Sequence, residues 1–300
     1  LHTAMIEAIS QVCDVHVAVP APLWANAAAL YVSQRSRADM RRVTFIHLPA
    51  DDIWIRDFGP IVGHQADGTR AVYEVTYHTH DTYPQTRDAD LAGLYAALRG
   101  FPSRRIRLTT EGGNLLTDGQ GTLYMTTQLF NANPQFTRES LEGYLHELFT
   151  FDKLIMPPHL NIESTGHVDL IIKLARPDTV FVSAPNHRSD RAILTQANTL
   201  LSRETNARGQ HLNIVPLPTL PPYWNWFFYG IRRSYTNALT VNGRVLVPIY
   251  RTPEDDIALK AYADTLPEYE IVPIDCAVGV NGGGAVHCMT KEVPASVRKE

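Results

Sequence analysis

Short runs of β-branched and aromatic residues alternate along this chain with stretches whose apolar residues recur every three or four positions. The strand-like runs are VHVAV (15–19), RVTFIHL (42–48), RAVYEVTY (70–77), TLYMTTQLF (122–130), VDLIIKLA (168–175), TVFVSA (179–184), NALTVN (237–242) and RVLVPIY (244–250). Helices are predicted over 22–37, 88–99, 137–149, 188–205 and 254–265, and the opening LHTAMIEAIS reads as the middle of another. The last helix begins TPEDDIALKAY, with Thr252 as N-cap, Pro253 at the first helical position and acidic residues in the first turn. Tight turns are expected at ADG (66–68), TDGQG (117–121), RPD (176–178) and NG (242–243).

Each turn follows soon after a cluster of polar residues and precedes a helix. The clusters are RDFGP, EGGN, GHVD and YTN, and a fifth group, GGGAVHC, closes the series. Their anchors Asp57, Glu111, His167, Thr236 and Cys288 are 54, 56, 69 and 52 residues apart. A period of roughly 50–70 residues, each holding strands plus one helix, predicts an α/β protein built as a closed radial array of about five modules. The polar clusters would face its central axis. No linker or low-complexity segment interrupts the chain, so residues 1–300 are read as one domain. Because the chain opens mid-helix without Met, part of the first module is expected to lie upstream, and a removed leader is left open.

Hydrophobic content of 44%, charged content of 19% and a net charge of −4 describe an ordinary globular chain. Arginine pairs at 41–42, 104–105 and 232–233 are too scattered for a nucleic-acid stripe. No apolar run reaches the ~20 residues of a membrane helix. Cys13, Cys276 and Cys288 form neither a disulfide framework nor a metal-ligand pattern, which points to a reducing, cytoplasmic setting.

The segment from Asp51 to Pro60, DDIWIRDFGP, puts Trp54, Arg56 and three aspartates at the end of a strand, a combination suited to a site. An Arg56–Asp ion pair that merely holds the loop is the plainer alternative. Glu111-Gly112-Gly113-Asn114 places a carboxylate before a bare backbone, or forms a turn with Asn114 left-handed. Gly166-His167-Val168-Asp169 stands at the head of a buried strand. Alternation would put His167 and Asp169 on one face, either as a satisfied pair or as two ligands of a zinc or iron ion. In VNGGGAVHCMT (280–290), glycines lead into Cys288 on what is expected to be one of the last strands. Glycine is costly in ordered chain, roughly 0.5–1 kcal/mol relative to Ala. Either a turn precedes a buried cysteine, or the backbone is bared so that a flat group can approach a nucleophile.

Carboxylates, one histidine, one cysteine and bare backbone suit a guanidinium. This planar cation pairs bidentately with carboxylates such as Asp57 and Asp169. A thiolate can attack its central carbon while a histidine moves protons to leaving ammonia and from incoming water.

WIRDFGP, EGGN, GHVD and NGGGAVHCMT, in this order and at these spacings, resemble the agmatine deiminase and bacterial (Porphyromonas-type) peptidyl-arginine deiminase family. The resemblance spans essentially the whole chain. It implies the five-bladed α/β propeller of the guanidino-group-modifying superfamily, the pentein-like fold. It also implies Cys288 as nucleophile, His167 as general acid/base, Asp57 and Asp169 as guanidinium clamps, Glu111 as support and Trp54 near the substrate stem. Asn114, Gly166, Gly283 and Gly284 complete the substrate-binding candidates. The implied reaction forms a thiouronium on Cys288, loses ammonia and adds water to give a ureido product. No cofactor or metal is implied.

One loop departs from the family pattern, and one further stretch stands outside the motifs. VTYHTHDTYPQTRD lacks the Trp-Gly-Gly of the agmatine enzymes and the Arg-x-Arg of the secreted peptidyl-arginine enzyme, and His78 and His80 fall there. PPYWNWFFYGIRRSYTNAL (221–239) carries seven aromatics between 223 and 235. It reads as a loop packed over a blade, or as a lid from which Arg232 or Arg233 reads a substrate carboxylate. The leading expectation is hydrolytic deimination of agmatine or an arginine derivative. Peptide arginine, amidino transfer and a silent arginine-binding member are the alternatives. The expected partner is a small guanidine, with no nucleic acid and no membrane, and the oligomeric state is left open, a homo-oligomer included.

Overall fold

The computed structural model describes residues 1–77, 85–160, 165–225, 228 and 230–296. Among the described residues one chain path occurs four times: an antiparallel hairpin, then helix, then a third strand parallel to the second. The first instance runs Ile61–His64, Arg70–Thr76, helix Thr86–Arg99 and Ser103–Thr109. The second runs Leu116–Thr117, Thr122–Tyr124, helices Gln128–Ala132 and Arg138–Leu148, and Lys153–Ile155. The third joins Ile172–Arg176 and Thr179–Ser183 through helix Arg191–Arg203 to Asn213–Leu217. The fourth joins Leu239–Val241 and Arg244–Ile249 through helix Glu254–Thr265 to Glu270–Asp275. Ahead of these, Val15–Val19 and Val43–His47 pair in parallel around helix Pro22–Arg35. This is an α/β chain.

Contacts divide it into two compact units. One is Leu1–Gly112 with Cys288–Glu300, and the other is Gly113–His287.

The repeats follow from local chemistry. Asn242 and Gly243 have φ of 40° and 84°, the twist a two-residue hairpin needs, and the predicted NG turn lies there. Gly68, Gly119 and Gly121 supply positive φ at the ADG and TDGQG turns. In each three-stranded sheet the second strand is the central one. All of Thr179–Ser183 is buried. Leu194, Ala197 and Leu201, spaced three and four apart, turn one face of helix Arg191–Arg203 onto Val180 and Val182. Each such leucine contributes about 1.5–3 kcal/mol by leaving water. Helix Arg138–Leu148 opens with a reciprocal cap between Thr137 and Ser140, and helix Thr86–Arg99 ends on left-handed Gly100.

Four of the polar clusters sit at the same place in the repeat. RDFGP, EGGN, GHVD and YTN each lie immediately ahead of the first strand of a hairpin module. VNGGGAVHCMT follows the last strand.

Several expectations are corrected. VDLIIKLA is a strand only from Ile172, since Val168–Leu170 is a 3-10 turn. TLYMTTQLF stops as strand at Tyr124 and becomes helix at Gln128, because Thr126 turns away to bond Asn114 and Gly166. Cys288 lies in a turn over 286–289 and not on a strand. Helix Glu254–Thr265 is not capped by Thr252. The Asp255 carboxylate reaches back instead, accepting from the amides of Tyr250 (2.9 Å) and Thr252 (3.1 Å) and the Tyr235 hydroxyl (2.7 Å).

Candidate active site

In the first unit the residues of DDIWIRDFGP form a single helical turn, Ile55–Phe58. Gly59 is required there, because a Cβ would collide with the Ile55 carbonyl that its own amide bonds at 2.9 Å. The turn buries Arg56, Asp57 and Phe58. Trp54, half-buried, packs on the cluster of Leu48, Phe58, Tyr77 and Leu91.

The approach to this turn is held by helix Thr86–Arg99. Its Asp88 carboxylate accepts from the backbone amides of Asp51 (2.7 Å) and Asp52 (3.3 Å). Burial pushes the Asp88 carboxyl up, against those two hydrogen bonds. Asp51 in turn takes the amide of Arg87 at 3.0 Å and its Nε at 2.6 Å.

Tyr77 reports the electrostatics. Its hydroxyl accepts from Gln85 Nε2 at 3.2 Å, and its ring meets Phe58 edge-on at 5.6 Å. Burial raises its pKa first, and the charges of Glu111, Asp57, Asp52 and Asp88 raise it further. Four carboxylates therefore share this neighbourhood, with Asp57 and Glu111 only 7% and 8% exposed. Cys288, also buried, belongs to the same unit, and its carbonyl accepts the Arg56 amide at 3.0 Å.

In the second unit, His167 is 2% exposed and caps the 3-10 turn Val168–Leu170. A Cβ on Gly113 would collide with its Nδ1 and lie 2.8 Å from Cγ and Cε1, so the second glycine of EGGN exists to admit this ring. Asn114 is not left-handed, since it lies in the 3-10 turn Gly112–Asn114 and is absent from the positive-φ residues. Its Oδ1 accepts the Thr126 amide at 2.8 Å, and the Thr126 hydroxyl donates to Gly166 at 2.5 Å. That latch leads back to His167. Gly166 itself has φ of 68° and leaves no room for a side chain, because a Cβ would sit 2.6 Å from Gln128.

Asp169 does not pair with His167 by strand alternation, because no strand exists at that point. Its Oδ2 lies 2.6 Å from His287 Nδ1 and accepts from Asn237 Nδ2 at 3.1 Å. Asn237 then accepts, through Oδ1, the amides of Ala285 (3.2 Å) and His287 (3.1 Å). Thr236 donates to the Asp169 carbonyl at 2.8 Å. So the YTN cluster serves to hold GHVD and the chain leading to Cys288. Gly283, at φ 109°, makes the bend before that chain, while Gly284 is buried.

His287 and Asn237 were missed as site residues, although both lie inside the quoted clusters. A histidine directly before Cys288 and an Asn directly after Thr236 were the available signals. Arg232 does not read a carboxylate from a rim. It is 7% exposed and ion-paired with Asp190. Arg233 donates to the Pro221 carbonyl at 3.1 Å and stacks over Tyr223 at 5.1 Å. His78 and His80 lie outside the described residues, as do three aromatics of the 223–235 stretch.

A protein of Vibrio parahaemolyticus, provisionally named agmatine deiminase, is 31% identical over 84% of this chain and 78% of its own. The agmatine deiminase of Pseudomonas fluorescens is 27% identical over 98% of this chain and 86% of its own. An X-ray structure of another protein provisionally named agmatine deiminase superposes with a TM-score of 0.89 at 25% identity, covering 99% of this chain and 87% of that one. Residues 1–294 match the Porphyromonas-type peptidyl-arginine deiminase family as a whole, with every one of the four quoted motifs inside the match, and the chain belongs to that family.

Proposed function

We propose that this chain hydrolyses the guanidino group of agmatine or an arginine derivative, with Cys288 as nucleophile. The observation that carries the reading is the buried acidic neighbourhood of Tyr77 in the unit that holds Cys288. Asp57, Glu111, Asp52 and Asp88 all bear on that one hydroxyl. Three of the four, Asp57, Asp88 and Glu111, are buried, and so acidic a setting suits a guanidinium, which meets carboxylates with paired N–H donors.

The roles follow the family resemblance residue by residue. Cys288 Sγ attacks the central guanidinium carbon. The C–N bond to one terminal nitrogen breaks, and His167 delivers the proton that lets it leave as ammonia. Water then adds to the thiouronium, giving its proton to His167. The C–S bond breaks, returning the thiol and releasing a ureido product. Asp57 and Asp169 clamp the guanidinium and Glu111 supports it, while Trp54 packs on the stem. No cofactor or metal enters this scheme.

Relatives named agmatine deiminase support an amine-ended substrate. Within the same proposal, the four hairpin modules and the leading strand–helix–strand unit are read as the blades of a five-bladed α/β propeller. A reducing, cytoplasmic setting also belongs to it, in keeping with three cysteines whose number and spacing make no disulfide framework.

The test is ammonia release from agmatine, free arginine and arginine-ended peptides, with Cys288→Ser beside the parent. Release from agmatine that is lost in the variant supports the proposal. Release from peptides alone moves the activity to protein arginine, and no release from any of them ends the deiminase reading.

A further inference from the structure

Lys291 and Glu292 follow Cys288 in the sequence, and the chemistry above gives them no role. Both engage Arg56, the residue before Asp57. The Arg56 side chain is 6% exposed, and its Nη2 donates to Glu292 Oε2 at 2.5 Å. The Arg56 amide donates to the Cys288 carbonyl at 3.0 Å. The Arg56 carbonyl accepts from Lys291 Nζ at 3.2 Å. Residues 288–292 are thus fastened to one arginine at three points, two of them on its backbone.

Gly112 belongs to the same arrangement. A Cβ there would collide with both the Arg56 carbonyl oxygen and Lys291 Nζ. The first glycine of EGGN is therefore kept bare by the close approach of the Arg56 carbonyl, at the point where the Lys291 ammonium meets it. In this way the backbone of the cysteine is held in register with the residues before Asp57 and after Glu111. All of these residues belong to one compact unit.

We propose that Lys291, acting through Arg56 and opposite Gly112, is a positioning residue for the Cys288 nucleophile. The proposal rests on the deiminase reading for its catalytic consequence. A thiolate attacks productively only within about 3–3.5 Å of the carbon and from above the guanidinium plane, and a misplacement near 1 Å costs on the order of 100-fold. A clamp on the backbone of the nucleophile and of its neighbouring carboxylate loops sets that placement without touching substrate. It should therefore govern kcat more than KM.

The experiment compares Lys291→Met, Lys291→Arg and Gly112→Ala with the parent, by agmatine kinetics and by amide exchange at Arg56. K291M keeps the stem and removes the donor. It is expected to lower kcat about ten-fold or more, with KM within about two-fold, and to quicken exchange of the Arg56 amide. K291R restores the donor and should recover most of kcat. G112A should behave like K291M, and K291M alone decides the matter if G112A fails to fold. A parental kcat in K291M, or a raised KM with kcat intact, overturns the proposal. If the parent releases no ammonia, the deiminase reading falls, and unchanged Arg56 exchange in K291M would then sink the clamp separately.

Discussion

His287 Nδ1 lies 2.6 Å from Asp169 Oδ2, with His287 and Asp169 only 2% and 1% exposed. An ionised Asp169 could only accept here, which would put the proton of this hydrogen bond on His287 Nδ1. The same oxygen takes the Asn237 amide, and Asn237 holds the backbone of His287 itself. The residue ahead of Cys288 is therefore locked to a guanidinium-clamp candidate by its side chain and its main chain together.

Replacing His287 by Ala should expose how much of that lock matters. Deleting one partner of a buried hydrogen bond to a charged group costs roughly 1.5–3 kcal/mol. For a chain of this size that is a fall in Tm of about 2–5 °C. If Asp169 clamps substrate, KM for agmatine should also rise, because an unsupported carboxylate loses its fixed orientation. A His287→Ala protein with parental Tm and parental KM would show that the pair does neither.

Much of this was legible in the chain itself. The NG turn, the ADG turn and the central strands were readable because each rests on local chemistry: positive φ at glycine and Asn, or a continuous apolar run. The spacing of Asp57, Glu111, His167 and Thr236 revealed the repeat because each cluster precedes the first strand of its module. The third strands were not legible. SRRIRLT is studded with exposed arginines, while NIVPL and EIVPID carry Pro216 and Pro273. All three are edge strands, where one neighbour suffices and a missing N–H does no harm. The His287–Asp169 pair was equally hidden. It joins residues 118 apart, and a tertiary contact of that kind overrode the expectation that His167 and Asp169 would share a strand face.

Asp88 supplies a pH signature. Burial raises its carboxyl above the ordinary value of 3.8. A raised acid is bound to its proton more tightly in the folded chain than in the unfolded one. Its stabilising share is therefore complete below 3.8 and is lost as pH rises through the folded-state value. Asp88→Asn keeps an acceptor for the Asp51 and Asp52 amides and removes the titration. The Tm of the variant, taken relative to the parent, should climb as pH goes from about 3.5 to 6. A constant difference across that range would mean that the buried carboxyl titrates as it does in the unfolded chain.

Gly113→Ala tests whether the histidine ring needs the space that EGGN leaves for it. The added methyl would overlap Nδ1 and sit 2.8 Å from Cγ and Cε1 of a ring with almost no exposed surface. Either the ring rotates or the backbone moves. Overpacking of this kind costs about 1–3 kcal/mol, and displacing a proton carrier by about 1 Å costs on the order of 100-fold in kcat. Gly143→Ala is the matched comparison, because Gly143 is helical with nothing near its added methyl. That variant should gain about 0.5–1 kcal/mol and keep full activity. The pair of measurements separates the two effects of removing a glycine. If G113A loses stability but keeps the parental kcat, the ring tolerates displacement, and His167 is then not the group that carries the proton.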